Sequence, residues 1–256
     1  MPGGYMGRIL FVDLSRGSIE EESPPESLYR DYIGGYGIAA KVAVERQKPG
    51  IDALGPENIL GFVAGPLTAS PAPYGSRYYV TAKSPLTGTW GDANGGGQFG
   101  PQMKFAGVDA IFVSGMSPRP VYLLVRDGKG EIRDAGHLWG KDSVETEQAL
   151  KAEWGKEAGV ACIGPAGEKL SFISGIVNEG GRLAARAGVG AVAGSKRLKA
   201  IVVLGNNEVP IADKERATLL RREYLQTLKG PAVERRRKYV TCAAPVSMAA
   251  ISQTPA

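Results

Sequence analysis

Histidine and cysteine are nearly missing from this chain. One histidine, His137, and two cysteines, Cys162 and Cys242, occur in 256 residues. That scarcity excludes a histidine-cluster metal site, a CxxC centre and a disulfide-dense scaffold, and no spacing offers four ligands to a tetrahedral zinc. No run of eighteen apolar residues is present, and the opening MPGGYMGRILFVDL lacks a basic stretch leading into a long apolar one. The expectation is a cytoplasmic protein with no membrane partner. Excess charge on the body of the chain is also lacking. The formal charge is +5, from 31 basic and 26 acidic residues, yet residues 1–212 carry 22 of each and the whole excess falls in 213–256. A surface that tracks a nucleic-acid backbone needs positive charge clustered on the folded body, so nucleic acid is not an expected partner.

What the chain has in plenty is glycine, 36 residues, about twice the usual share. Six lie between Gly88 and Gly100 and six between Gly175 and Gly194. Around them the local signals are mostly sheet. Residues 8–14 and 18–22 read as a hairpin across Ser15-Arg16-Gly17, and 120–134 as another across Asp127-Gly128. Further strands are expected at 59–64, 77–82, 108–115, 161–163, 170–177 and 198–204. Residues 26–46 read as two helices separated by the corner Gly34-Gly35. Ser143 to Trp154 reads as a helix with a capping box from Asp142 and Glu145, and Asp213 opens a helix whose Ala217, Leu220, Tyr224 and Leu228 recur at helical spacing. From Lys229 onward no period is visible.

Glycine clusters serve tight turns and close packing, or they bring the main chain near something bulky. Charge favours the second reading. Arg77 precedes the first cluster, and Arg182, Arg186, Lys196 and Arg197 lie in or beside the second. Backbone amides with guanidinium forks suit a phosphate or a polyoxygenated planar ligand. If residues 182–186 are helical, Arg182 and Arg186 share a face, and an anion between them meets no competing acid. Neither phosphate-loop formula fits. GxxxxGK[ST] is absent, and GVGAVAGS (188–195) lacks a clean strand upstream and runs into a strand-like segment, against the order that a dinucleotide fold requires.

The stretches AGPLTAS (64–70), GSRYYVTAKSPLTG (75–88), ANGGGQFGPQMKFAGVDAIFVSG (93–115), PVYLLVRDGKGEIRDAGHLWGK (120–141), IGPAGEKL (163–170) and GRLAARAGVGAVAGSKRLKAIVV (181–203) resemble the amino-terminal domain of the tungsten-containing aldehyde:ferredoxin oxidoreductase family. MGRILFVDLSRGSI and LGPENIL follow the same pattern, and the resemblance runs from about residue 6 to about 240. It implies an α+β fold, internally duplicated, with two sheets as the base for a tungsten or molybdenum bis-pyranopterin. It also implies oxidation of aldehydes to carboxylic acids, transfer of electrons to ferredoxin or to electron-transfer subunits, and a magnesium ion between the pterin phosphates. By the same resemblance, Arg77 stands beside the pterin, Gly96 and Gly97 offer amides to a phosphate region, and Arg182 and Arg186 belong to the second loop. Asn94 and Leu183 supply main-chain carbonyls to the magnesium.

Two departures from the family stand out. The second loop carries Ala185 and Ala187 where glycines are common, which costs about 1 kcal/mol or more each if positive φ is needed. The family's [4Fe–4S] cysteines have no counterpart set here, so the cluster is expected only in a full-length enzyme. The expected organisation is a pterin-binding domain over 1–210, the start of a truncated helical part over 211–241, and a disordered tail over 242–256. Cys162 reads as a buried strand residue and His137 as a local packing residue, so no catalytic residue is assigned and the chain alone is expected to be inactive. Two other readings stay open: a stand-alone pterin or phosphate-ligand module, and an inactive fragment of an interrupted gene.

Overall fold

The first hairpin forms as read, with β1 (Ile9–Asp13) antiparallel to β2 (Ser18–Glu22) and Val12 opposite Ile19. It belongs to a computed structural model that describes residues 3–239. Cys242 and the 242–256 tail lie outside the described residues. Next come the two helices α1 (Glu26–Tyr32) and α2 (Tyr36–Arg46), parted by Gly34 and Gly35, both at positive φ. Strands β3 (Leu60–Ala64), β4 (Tyr78–Lys83) and β5 (Trp90–Gly95), helix α3 (Phe99–Phe105) and strand β6 (Ala110–Ser114) complete the first half.

The second half repeats the order of the strands. A hairpin of β7 (Val121–Arg126) and β8 (Lys129–Asp134) turns on Asp127 and Gly128, both at positive φ as a two-residue hairpin requires. Helix α4 (Ser143–Trp154) has both halves of its capping box in place. Strand β9 (Gly159–Cys162), the short helix α5 (Pro165–Glu168), strands β10 (Ile176–Asn178) and β11 (Arg182–Ala184), helix α6 (Val189–Ser195) and strand β12 (Leu198–Leu204) follow. The sheets run β2-β1-β6-β3-β4-β5 and β8-β7-β12-β9-β10-β11. In each, one pair is parallel, β1 with β6 and β7 with β12, and the rest are antiparallel. The α+β, internally duplicated, two-sheet fold is therefore present.

Strand alternation explains the layers. Leu10, Val12, Phe62 and Val80 of one sheet share a buried cluster with Leu123, Val125, Ile201 and Val203 of the other, and Phe99, Met103, Val189 and Val192 join from α3 and α6. The outer faces are covered by α1 and α2 on the first sheet, through Tyr29, Ile38 and Val42, and by α4 on the second, through Leu150. Each such side chain contributes about 1.5–3 kcal/mol by leaving water.

Several local expectations change. The stretch 88–100, where no strand or helix was expected from sequence, holds strand β5 (Trp90–Gly95) and the start of α3 at Phe99. Of the expected 170–177 strand only Ile176 and Val177 are extended, within β10 (Ile176–Asn178). Residues 182–186 are not helical, since Arg182–Ala184 is strand β11. The glycines of GVGAVAGS lie in and around α6, so strand, loop and helix do follow in order there. A Cβ on Gly194 would come 2.0 Å from the carbonyl oxygen of Gly167, which makes that part of the cluster a packing device for α5 against α6.

The two halves are also joined by Lys196, a fully buried lysine at the end of α6. Its Nζ donates to the carbonyls of Pro56 and Gly115, both at 3.2 Å. Burial pushes its pKa down to about 7, against the opposing pull of Asp13. An unfolded lysine keeps its proton to about pH 10.4. Between about pH 7 and 10 the unfolded chain therefore holds a proton that the folded chain has lost, and stability rises with pH by up to about 1.4 kcal/mol per unit. Lys196→Met should flatten that rise in urea unfolding at pH 7 and pH 9. An unchanged slope would count against this assignment.

The chain divides into two units, residues 1–70 with 74–212, and residues 71–73 with 213–256. In the second, α7 (Lys214–Thr227) starts at Asp213, whose carboxylate accepts from the amide of Arg216 at 2.8 Å, and it buries none of its residues. A further helix, α8 (Pro231–Tyr239), occupies the stretch without a visible period. Its residues favour helix by intrinsic propensity and a proline at the first turn, signals that an apolar-stripe search does not detect. No helix among the described residues is long and apolar enough to cross a membrane.

Candidate functional site

Strands β5 and β11 are the edges of their sheets and hold equivalent places in the two repeats. The fold brings these edges together, and with them the two glycine clusters. At the centre is Asn178, at the end of β10 and 1% exposed. Its Nδ2 donates to the carbonyl of Gly96 at 2.8 Å, and its Oδ1 accepts from the Tyr78 hydroxyl at 3.1 Å. Gly97 follows at φ +97°, where a Cβ would lie 2.2 Å from Glu179 Oε2, 2.8 Å from Arg182 Cδ and 3.0 Å from Asn178 Nδ2. A side chain there would have to displace the Glu179 carboxylate and the Arg182 stem and would sit in the left-handed region, so this glycine has a steric as well as a conformational cause. A Cβ on Gly91 would likewise meet Ala187 Cβ at 2.5 Å.

Of the cations singled out in the sequence, Arg77, Arg182 and Arg186 lie at this junction, whereas Lys196 donates to the carbonyls of Pro56 and Gly115 and Arg197 to that of Pro118. Arg77 Nη1 donates to Asn94 Oδ1 at 2.9 Å, and its guanidinium lies 3.8 Å from where a Gly96 Cβ would stand. Arg182 opens β11, half-exposed Leu183 follows, and Arg186 lies in the loop beyond. The expectation that no acid competes for an anion does not hold. Arg182 Nε donates to Glu179 Oε2 at 2.7 Å, and Arg186 lies 3.7 Å from Asp92. Both arginines are mostly solvent-exposed, 60% and 69%, so their guanidinium groups are accessible to a ligand. Of the two departures in the second loop, Ala187 does sit at positive φ, at +64°, whereas Ala185 does not.

Residues the sequence reading passed over complete the junction. Glu147 of α4, buried, accepts from the Gly180 amide at 2.7 Å and pairs with Lys151 at 2.8 Å, holding the β10–β11 turn against the helix. Asn178, ahead of Glu179-Gly180-Gly181, carries an ordinary turn signal, and nothing local distinguishes it from a turn asparagine. Cys162 is buried in β9, with a thiol pushed up to about 12 by desolvation. His137 is exposed in the turn after β8. No group of three or more His, Cys, Asp or Glu that could hold a metal ion occurs among the described residues. A metal at this junction would take backbone carbonyls and ligand oxygens, a donor set that suits magnesium.

A family model described as aldehyde ferredoxin oxidoreductase, N-terminal domain, matches residues 9–205. The chain is 49% identical over 231 residues to the tungsten-containing aldehyde ferredoxin oxidoreductase of Thermococcus kodakarensis and 48% identical over 231 residues to that of Pyrococcus furiosus. Each match covers 90% of this chain and 38% of the relative. Among solved structures, the active-site complex BamBC of benzoyl coenzyme A reductase, with 1,5-dienoyl-CoA, superposes with a TM-score of 0.85 at 40% identity, over 89% of this chain and 35% of that one. The chain thus spans little more than a third of the length of these relatives.

Proposed function

Because the chain belongs to the aldehyde ferredoxin oxidoreductase family, we propose that it forms the tungstopterin-binding front of an oxidoreductase that converts aldehydes to carboxylic acids and passes the electrons to ferredoxin or an electron-transfer subunit. The observation that carries this reading is the meeting of two equivalent glycine edges, one from each repeat, with Arg77, Arg182 and Arg186 around them. A flat, phosphate-bearing ligand needs close approach to backbone and forked cations beside it, and these residues offer both.

When bound, a tungsten or molybdenum bis-pyranopterin supplies the redox chemistry. The chain's own residues bind and orient. Gly96 and Gly97 leave the main chain bare, and Arg77 is held in place by Asn94 while its guanidinium stays beside Gly96. Arg182 and Arg186 exchange Glu179 and Asp92 for a phosphate. The main-chain carbonyls of Asn94 and Leu183, on the two edge strands, would hold the magnesium. The [4Fe–4S] ligands and the substrate pocket are assigned to the part of the enzyme that this chain does not span.

Magnesium pyrophosphate is a tractable probe of the phosphate subsite. In a titration followed by amide resonances, saturable shifts are expected at residues 94–97 and 182–188. Saturable binding that leaves both segments unmoved, or no binding, would overturn the reading.

A further inference from the structure

We infer that Asn178 is the positioning residue that sets the direction of the peptide between Gly96 and Gly97, so that the Gly97 N–H is turned toward the ligand side of the junction. This rests on the reading of the junction as a phosphate subsite. A peptide flanked by two glycines rotates at little steric cost, so its direction must be imposed from outside. The Gly96 carbonyl can only accept, and it meets the Asn178 amide nitrogen at 2.8 Å. That contact alone decides which way the Asn178 amide faces, because the reverse orientation would set oxygen against oxygen. Tyr78 secures the other end. Its hydroxyl lies 3.1 Å from Asn178 Oδ1, and burial raises its pKa, which keeps it a donor.

All described peptide bonds are trans, so the Gly97 N–H points away from the carbonyl that Asn178 holds. Asn178 and Gly96 come from different repeats, which means that the second repeat orients the backbone of the first. Asparagine is required for a chemical reason. Ionised aspartate has the same shape but no donor for the Gly96 carbonyl, and leucine has neither donor nor acceptor.

The test uses the 256-residue chain, labelled so that the Gly96 carbonyl and Gly97 amide resonances are read, with magnesium pyrophosphate as the probe. Asn178→Asp at pH 7.5 should move both resonances and weaken binding about tenfold, as expected when only a tenth of the molecules hold the competent peptide direction. Lowering the pH to protonate the introduced carboxyl restores a donor, so affinity relative to the parent at the same pH should recover. A merely structural defect would not recover in this way. Should Asn178→Asp fail to fold, Tyr78→Phe replaces it. That change removes one of the two bonds that hold the Asn178 amide and leaves only its bond to Gly96, so it should broaden the Gly97 resonance. Parent-like Gly96 and Gly97 resonances in both folded variants, or pyrophosphate affinity unchanged at every pH, would overturn the inference. If the parent itself ignores pyrophosphate, the phosphate-subsite reading fails, while the resonance comparison still decides what Asn178 does to the peptide.

Discussion

Replacing Asp109 by alanine should destabilise the chain by about 3–5 kcal/mol. The carboxylate is 1% exposed and pairs with Lys104, which is fully buried at the end of α3. It also accepts from the amides of Met6 and Gly7, at 3.0 and 2.7 Å, while Lys104 Nζ donates to the Gly4 carbonyl at 2.8 Å and lies 5.3 Å from the centre of the Tyr5 ring. Burial already lowers the Lys104 pKa, and Asp109 is what opposes that shift. Without the anion an ammonium is left in an apolar setting, and residues 4–7 lose their anchor. Replacing both partners, Lys104→Met with Asp109→Leu, should cost far less than the single change, because no charge is stranded. Urea unfolding of the parent, the single and the double variant checks this. A loss below 1 kcal/mol for Asp109→Ala, or a double variant as weak as the single, would refute the account.

The largest functional effect is expected from the two arginines. Arg182→Ala and Arg186→Ala should each weaken magnesium pyrophosphate binding about tenfold, and together about a hundredfold, equivalent to about 1.4 kcal/mol per arginine. The lower end of the range for charge-assisted contacts applies here for two reasons. Both side chains are largely in water, where screening weakens them, and each must first give up a carboxylate, Glu179 or Asp92. Lysine at position 182 should restore less than its charge suggests, since an ammonium lacks the planar fork. Arg119, 72% exposed and 3.6 Å from Asp134 beyond the junction, is the control, and its alanine variant should bind as the parent does. Equal affinity in all five variants would make the second glycine cluster a packing feature only.

How much of this was legible differs from element to element. The β1–β2 and β7–β8 hairpins, the capping box of α4 and the start of α7 at Asp213 were readable because each is set by residues within a few positions of one another. Strand β5 was not, since Trp-Gly-Asp-Ala-Asn-Gly has little strand propensity and is extended only because it pairs with β4 from Lys83 to Tyr78. Helix α6 escaped for a related reason. Gly188, Gly190 and Gly194 look like a loop until their neighbours show why larger residues do not fit: Phe172 and Pro85 at Gly188, Ser174 and Gly175 at Gly190, and Gly167 of α5 at Gly194.

The site shows the same division. Arginines beside glycine clusters are visible in one dimension, and that picked out Arg77, Arg182 and Arg186, while the family resemblance added Asn94, Gly96, Gly97 and Leu183. The partners Asn178, Tyr78, Glu179, Asp92 and Glu147 were not, for they are ordinary residues in ordinary strands, turns and a helix. The chain's sequence by itself determined which stretches would be sheet and where bare backbone would meet positive charge. Only the tertiary structure decided that the two edges face each other, that acids already hold the arginines, and that a buried asparagine of one repeat grips a glycine carbonyl of the other. Apart from Arg182 and Glu179, which are three positions apart, these contacts join residues some 80 to 100 positions apart, and local preference carries no information about pairings that close only when the duplicated sheets pack.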